Sequence, residues 1–144
     1  MSVAFTLFDL FDRDLAKKTL DASTDTIKAV LSNTLPSQTA AIAGPGDITE
    51  IANGNGYTSG GVLVTTPAFS QVSGGTWMFK CDAFSWTSSG SGMATFRYGA
   101  IYFVTAAKLI GWWDHGSGLS VAVGSQYQVT PDQTNGLFRI TRSP

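Results

Sequence analysis

From Gly61 to its C-terminus the chain is a succession of short apolar or alternating runs, each cut off by glycine, serine or asparagine. That punctuation is the strongest constraint in the sequence. Turn residues at such close spacing leave no room for long helices and favour antiparallel strands stacked in two layers. The predicted strands are Val62–Thr66, Trp77–Asp82, Phe84–Thr87, Ala94–Val104, Lys108–Trp113, Leu119–Val123, Gln126–Thr130 and Leu137–Arg142. The breaks between them are Gly74-Gly75, the Ser88–Gly92 run, Asp114–Gly118, Gly124-Ser125 and Asn135-Gly136. In Ala94–Val104 one face carries Phe96, Tyr98, Ala100, Tyr102 and Val104, the other Arg97, Gly99, Ile101 and Phe103. Both faces are largely apolar, so this strand is expected at the centre of a sheet, buried on each side. Upstream, Thr26–Asn33 alternates Ile27, Ala29 and Leu31 against Thr26, Lys28 and Val30, as one further strand.

The head of the chain follows another rule. Residues 1–28 hold 9 of the 19 charged side chains. At 100° per residue Ala4, Leu7, Phe8, Phe11 and Leu15 share a face opposite Asp9, Arg13 and Lys17, with Leu10 off it, which predicts an N-terminal helix or arm over residues 1–20. Ser2 is placed to cap its start, while Lys17 and Lys18 suit its C-terminal end. Such a helix either covers one end of a sheet or docks on a partner subunit through Phe5, Phe8 and Phe11. Between the first strand and Gly61 lies the long Thr34–Gly61 connection, rich in Gly-Pro and Asn-Gly turns, with one helical turn expected at Asp47–Ile51. So long a loop in a compact domain signals a functional or subunit-contacting segment. The expected fold is therefore mainly β: a single-domain antiparallel β-sandwich over 26–144, with an N-terminal α-helix and a long Gly/Asn-rich loop over 34–61.

Composition narrows the chemistry. The 144 residues carry a net charge of −1 and 13% charged side chains, which argues against a nucleic-acid partner. No long apolar stretch or basic leader is present, so neither a membrane span nor a secretory signal is expected. One cysteine rules out an intrachain disulfide framework, and one histidine rules out most histidine-built metal sites.

The individual candidates read as structure. Asp114 and His115 are neighbours on an extended segment and point apart, so the pair makes a poor acid–base couple, and Asp-His-Gly-Ser-Gly has the composition of a turn. Cys81 is in phase with Trp77 and Phe79 and is expected in the core. Among the carboxylates Asp47, Glu50, Asp82, Asp114 and Asp132 no facing pair stands out for glycoside hydrolysis. Gly54-Asn55-Gly56 and Gly60-Gly61 lack the flanking strand, helix and Gly-Lys-Ser/Thr of a phosphate loop. Trp77, Trp86, Trp112, Trp113, Tyr98 and Tyr102 would stack on sugar rings if exposed on one face, but most lie on strongly apolar strands and are expected to be buried. Adjacent Trp112 and Trp113 must face opposite ways.

Five segments resemble small structural proteins encoded near the head genes of tailed bacteriophages and prophages. They are DITEIANGNGYTSGG at Asp47–Gly61, LDASTDTIKAVLSNT at Leu20–Thr34, FRYGAIY at Phe96–Tyr102, LIGWWDHGSGLSVAVGSQYQV at Leu109–Val129 and TNGLFRIT at Thr134–Thr141. The resemblance implies a virion protein, a decoration (cement) protein on the capsid exterior, assembled in the bacterial cytoplasm. It implies no catalytic residue and no cofactor. Its partners would be the major capsid protein and copies of the chain itself, as a homo-oligomer such as a trimer. The Asn53–Thr58 segment looks architectural. The candidate intersubunit contacts are Phe5, Phe8, Phe11, Asn53, Asn55 and Tyr57. A tail or neck component and a carbohydrate- or receptor-binding module are the alternatives.

Overall fold

The computed structural model describes residues 4–18, 20–21, 24–37 and 44–142. The expected cap Ser2 lies outside them. The architecture is mainly β, and every strand pair is antiparallel. The strands are β1 (Phe5–Leu7), β2 (Ile27–Ser32), β3 (Val62–Val64), β4 (Ala68–Ser73), β5 (Thr76–Lys80), β6 (Phe84–Thr87), β7 (Phe96–Phe103), β8 (Lys108–Leu119), β9 (Gln126–Val129) and β10 (Phe138–Thr141). Among the described residues one helix, α1 (Asp9–Ala16), and one 3-10 turn, Pro45–Asp47, complete the set. A five-stranded sheet runs β1-β8-β7-β2-β3. A three-stranded sheet, β10-β5-β4, and a two-stranded one, β6-β9, accompany it.

The main core joins Ile27, Ala29, Leu31, Ile101, Phe103, Ile110 and Trp113 of the large sheet to Phe79, Phe84, Trp86 and Phe138 of the smaller ones. The alternation in β2 holds: Ile27, Ala29 and Leu31 enter this core, while Val30 faces a second cluster with Phe8, Ile48, Ala100, Tyr102 and Leu109. Strand β7 is central and buried on both faces, as its composition requires. Its register against β8 shifts twice, between Phe96 and Tyr98 and between Ile101 and Tyr102; Phe96 lies in the main core with Ile101 and Phe103, whereas Ala100 and Tyr102 belong to the second cluster. Gly99 lies directly opposite Trp113, whose indole covers it so closely that a Cβ there would stand 2.0 Å from the ring. Only glycine permits that ring to lie flat on the sheet.

The predicted N-terminal helix is present as α1, but it is shorter than the 1–20 span expected of it. Phe5–Leu7 are extended and pair with β8, and Phe8 N–H donates to the Ile110 carbonyl at 3.2 Å before the chain turns into α1. Phe5 and Leu7, two apart on either side of Thr6, fit one face of a strand as readily as a helix stripe, and an unpaired edge of β8 decides the matter. Within α1, Leu15 is 37% exposed, whereas Asp14, paired with Arg13 at 2.7 Å, is buried. The predicted turn at Asp114–Gly118 is also corrected. β8 runs on through it to Leu119, and there is no separate Leu119–Val123 strand. Its turn chemistry survives as a bulge: between the pairs Tyr98↔Asp114 and Phe96↔Leu119 the β8 side is longer, Gly116 takes φ +91°, and its N–H donates to Asp114 Oδ1 at 2.7 Å. Strand β4, in which the polar residues Ser70, Gln71 and Ser73 follow no alternation, is a strand that the sequence pattern does not predict. The helical turn expected at Asp47–Ile51 instead precedes it, over Pro45–Asp47, where Asp47 Oδ2 accepts the Gly44 N–H at 3.1 Å.

Candidate functional site

The Glu50–Gly61 segment lies along the large sheet where β3 stops. The last β2–β3 pair is Ala29↔Val62, so the next outward-facing groups of β2, those of Leu31, have no strand beside them. The loop supplies the partners. Ile51 N–H donates to the Leu31 carbonyl at 3.0 Å, and Leu31 N–H donates to Tyr57 Oη at 3.3 Å. Tyr57 in turn donates to Glu50 Oε2, which also accepts Gly60 N–H at 2.9 Å, while Tyr102 Oη donates to the Gly60 carbonyl at 2.8 Å. Burial and then the Glu50 carboxylate push the Tyr57 phenol well above its ordinary range, so it stays a donor.

The tip is a two-residue hairpin turn. Asn55 (φ +54°) and Gly56 (φ +101°) occupy its centre, and Gly54 and Tyr57 exchange both backbone hydrogen bonds, at 2.7 and 3.1 Å. The tip rests on the segment after β6. Ser89 N–H donates to the Asn55 carbonyl at 2.9 Å and Ser91 N–H to Asn55 Oδ1 at 3.3 Å. A Cβ on Gly56 would lie 1.9 Å from the Thr87 carbonyl oxygen, which fixes that position as glycine. Asn53 Oδ1 accepts Ser59 N–H at 2.9 Å and closes the loop upon itself.

This geometry sorts the six candidate contact residues. Phe8 (3% exposed), Phe11 (1%) and Tyr57 (2%) are buried within the chain's own structure and present no surface. Phe5 is half-buried against Phe138, ring centroids 5.7 Å apart. Asn53 and Asn55 are exposed, although each already holds a backbone group with its side-chain oxygen.

A second feature is a cleft of about 730 Å³ with Phe5, Trp113, His115, Tyr127, Asp132 and Asn135 among its walls. His115 reaches it from the β8 bulge, its ring 5.8 Å from that of Tyr127. Trp113 Nε1 donates to Tyr127 Oη at 3.0 Å, leaving the phenol proton to be offered elsewhere. Asp114 points to the opposite side and holds Arg97 through two contacts at 2.8 and 2.9 Å, so it does not orient His115. That pairing holds Asp114 below the usual carboxylate range.

The third feature is an apolar row at one end of the three-stranded sheet. Phe79, Phe69 and Phe138 are register partners and fill the core. Two residues further along the same face, Trp77 pairs with Ile140 and Gln71 and is 45% exposed. It lines a notch of about 350 Å³ with Gln71, Gly75, Ile140 and Arg142. Sequence phase places Trp77 and Phe79 on one face but carries no signal for where the covering layer ends.

The other singled-out residues are structural. Cys81 is buried, its thiol pushed up to about 12 by burial and the nearby Asp82 charge. Asp82 accepts from the Thr65 and Thr66 hydroxyls, and Asp132 accepts the Thr134 and Asn135 N–H groups at 2.7 and 3.0 Å. Trp86 (1% exposed) and Trp113 are core, as expected of most of the aromatic set. Among the described residues no group of three or more His, Cys, Asp or Glu side chains is arranged to hold a metal, and no helix is long and apolar enough to cross a membrane. No protein-family model, curated protein or solved structure matches the chain.

Proposed function

We propose that this chain is a tailed-bacteriophage virion structural protein, a decoration protein that binds the exterior of the head and stabilises it. The observation that carries the reading is Trp77, a large aromatic held on a rigid strand, 45% exposed, beside half-buried Ile140 and flanked by Arg142. Tryptophan and arginine are the residues that anchor interfaces, and an unfilled notch next to them suits a neighbour's side chain. The low charge and the pinned loop fit the same role: a body that loses little conformational freedom on docking binds through a neutral surface. The partners are the major capsid protein and further copies of the chain. No cofactor or catalysis is required, because binding the assembled shell in preference to its dissociated parts stabilises it by mass action. The site of action is then the capsid surface, reached after assembly in the host cytoplasm.

The test is electron microscopy of purified particles with and without the protein, together with Trp77→Ala. Density covering the outer shell, with occupancy lowered by the substitution, is expected. A ring of about six or twelve copies at the neck would favour the tail or neck alternative. Full shell occupancy by the Trp77→Ala protein would remove Trp77 from the interface.

A second reading, a carbohydrate- or receptor-binding module, draws on the cleft, where Phe5, Tyr127 and His115 offer ring faces beside polar Gln128 and Asn135. Saturable change of tryptophan fluorescence on adding neutral oligosaccharides, lost in His115→Ala, would support it. No response at millimolar concentrations would refute it.

A further inference from the structure

Three Asn-Gly pairs occur in the chain: Asn53-Gly54, Asn55-Gly56 and Asn135-Gly136. In such a pair the glycine backbone nitrogen is the least hindered nucleophile available to the asparagine side-chain carbonyl carbon. By sequence the three are equivalent. The fold makes them different.

We propose that Asn55 is a site of spontaneous deamidation in the folded protein, while Asn53 and Asn135 are protected. The nucleophile decides this. Gly54 N–H is engaged with the Tyr57 carbonyl at 2.7 Å, and Gly136 N–H with the Asp132 carbonyl at 2.7 Å. To attack, either nitrogen must first give up a short hydrogen bond. Gly56 N–H donates to no described group, and Gly56 is exposed, so its nitrogen gives up no hydrogen bond in order to attack. Ser91 N–H donates to Asn55 Oδ1 at 3.3 Å, on the oxygen where negative charge develops during attack; Asn53 Oδ1 has the same kind of donor in Ser59 N–H at 2.9 Å, so between these two the nucleophile alone makes the difference. The leaving nitrogen of Asn55 carries no hydrogen bond among the described residues, whereas at Asn135 Nδ2 is held by Asp132 at 2.7 Å and Oδ1 by Arg139 at 2.6 Å.

The step balances without any external reagent but water. Gly56 N loses its proton to solvent and bonds to Asn55 Cγ, the amide nitrogen takes a proton from solvent, the Cγ–Nδ2 bond breaks, and ammonia leaves. One water then opens the succinimide at either carbonyl, giving aspartate or isoaspartate. The isoaspartate form routes the main chain through the former side chain, so the tight Gly54–Tyr57 exchange and the seat of Gly56 on Thr87 no longer fit. The modification therefore loosens the tip from the segment after β6.

The test incubates the full chain at mildly alkaline pH, once folded and once in urea, and follows each Asn-Gly peptide by mass spectrometry with isoaspartate detection. Asn55 should convert several-fold faster than Asn53 and Asn135 in the folded protein, with the three rates drawing together in urea. Asn55→Gln should remove the fast phase of ammonia release. Conversion of Asn53 or Asn135 at the pace of Asn55 in the folded chain overturns the proposal, as does absence of conversion at Asn55.

Discussion

Replacing Tyr57 by phenylalanine removes one oxygen and nothing else, and the structure says what that oxygen holds. It accepts the Leu31 N–H and donates to Glu50 at the edge of the large sheet. Leu31 is fully buried, so its N–H has no water to turn to once the phenol is gone. An unsatisfied buried donor costs about 1–3 kcal/mol, and a hydrogen bond to a charged acceptor contributes about 1.5–3 kcal/mol net. Glu50 keeps Gly60 N–H and is partly exposed, so solvent recovers much of the second amount. The net expectation is a loss of about 2–4 kcal/mol. At roughly 3 °C per kcal/mol for a chain of this size, Tm should fall by about 6–12 °C. Urea unfolding followed by tryptophan fluorescence measures it directly. Glu50→Gln, alone and combined with Tyr57→Phe, should be clearly non-additive, because the two side chains share one hydrogen bond. A loss below about 0.5 kcal/mol with unchanged m-value would refute the claim that this segment completes the sheet. If particle binding were abolished at unchanged stability, Asn53–Thr58 would be an interface and not a support.

Three further expectations follow from the geometry. Phe138 sits 5.3–5.9 Å from the rings of Phe5, Phe11, Phe69 and Phe79, so Phe138→Ala should cost about 3–5 kcal/mol in chemical unfolding; a surface-like loss would refute its central place. At Asp25 burial raises the carboxyl pKa but the Thr105 and Ala106 hydrogen bonds outweigh it; at Asp114 and Asp132 hydrogen bonds from Arg97 and Asn135 lead, and all three are held below the ordinary value. Their contribution is thus present above the unfolded pKa of about 3.9 and fades as pH falls through the folded values, so stability measured against pH should drop below about pH 4, and less steeply in Asp25→Asn. Cys81, buried and with its thiol raised to about 12, should resist a thiol reagent at neutral pH until the chain unfolds; stoichiometric labelling of the folded protein would contradict its place in the core.

Where local chemistry and tertiary context agree, the sequence is readable. Phe84–Thr87 is a strand with the predicted ends, and β2 and β7 keep their predicted roles. Cys81 is buried as its phase requires. Where the partner decides, it is not. Phe5–Leu7 becomes a strand because β8 offers an edge, and Asp114–Gly118 honours its turn residues in a bulge while pairing continues on either side. The long connection was marked as exceptional by its glycines and asparagines, yet nothing local indicates that Tyr57 and Ile51 would stand in for a missing length of β3.

By itself, then, the sequence determined the class of fold, the turns and the alternation of faces, since these rest on the period of the strand and the backbone freedom of glycine, properties of a few consecutive residues. Which aromatic side chains stay in contact with solvent was decided only in three dimensions. Trp77 and Trp86 both occupy strands, but one is 45% exposed and the other 1%. The difference lies in what stands opposite each ring, and that is supplied by residues far away in the chain.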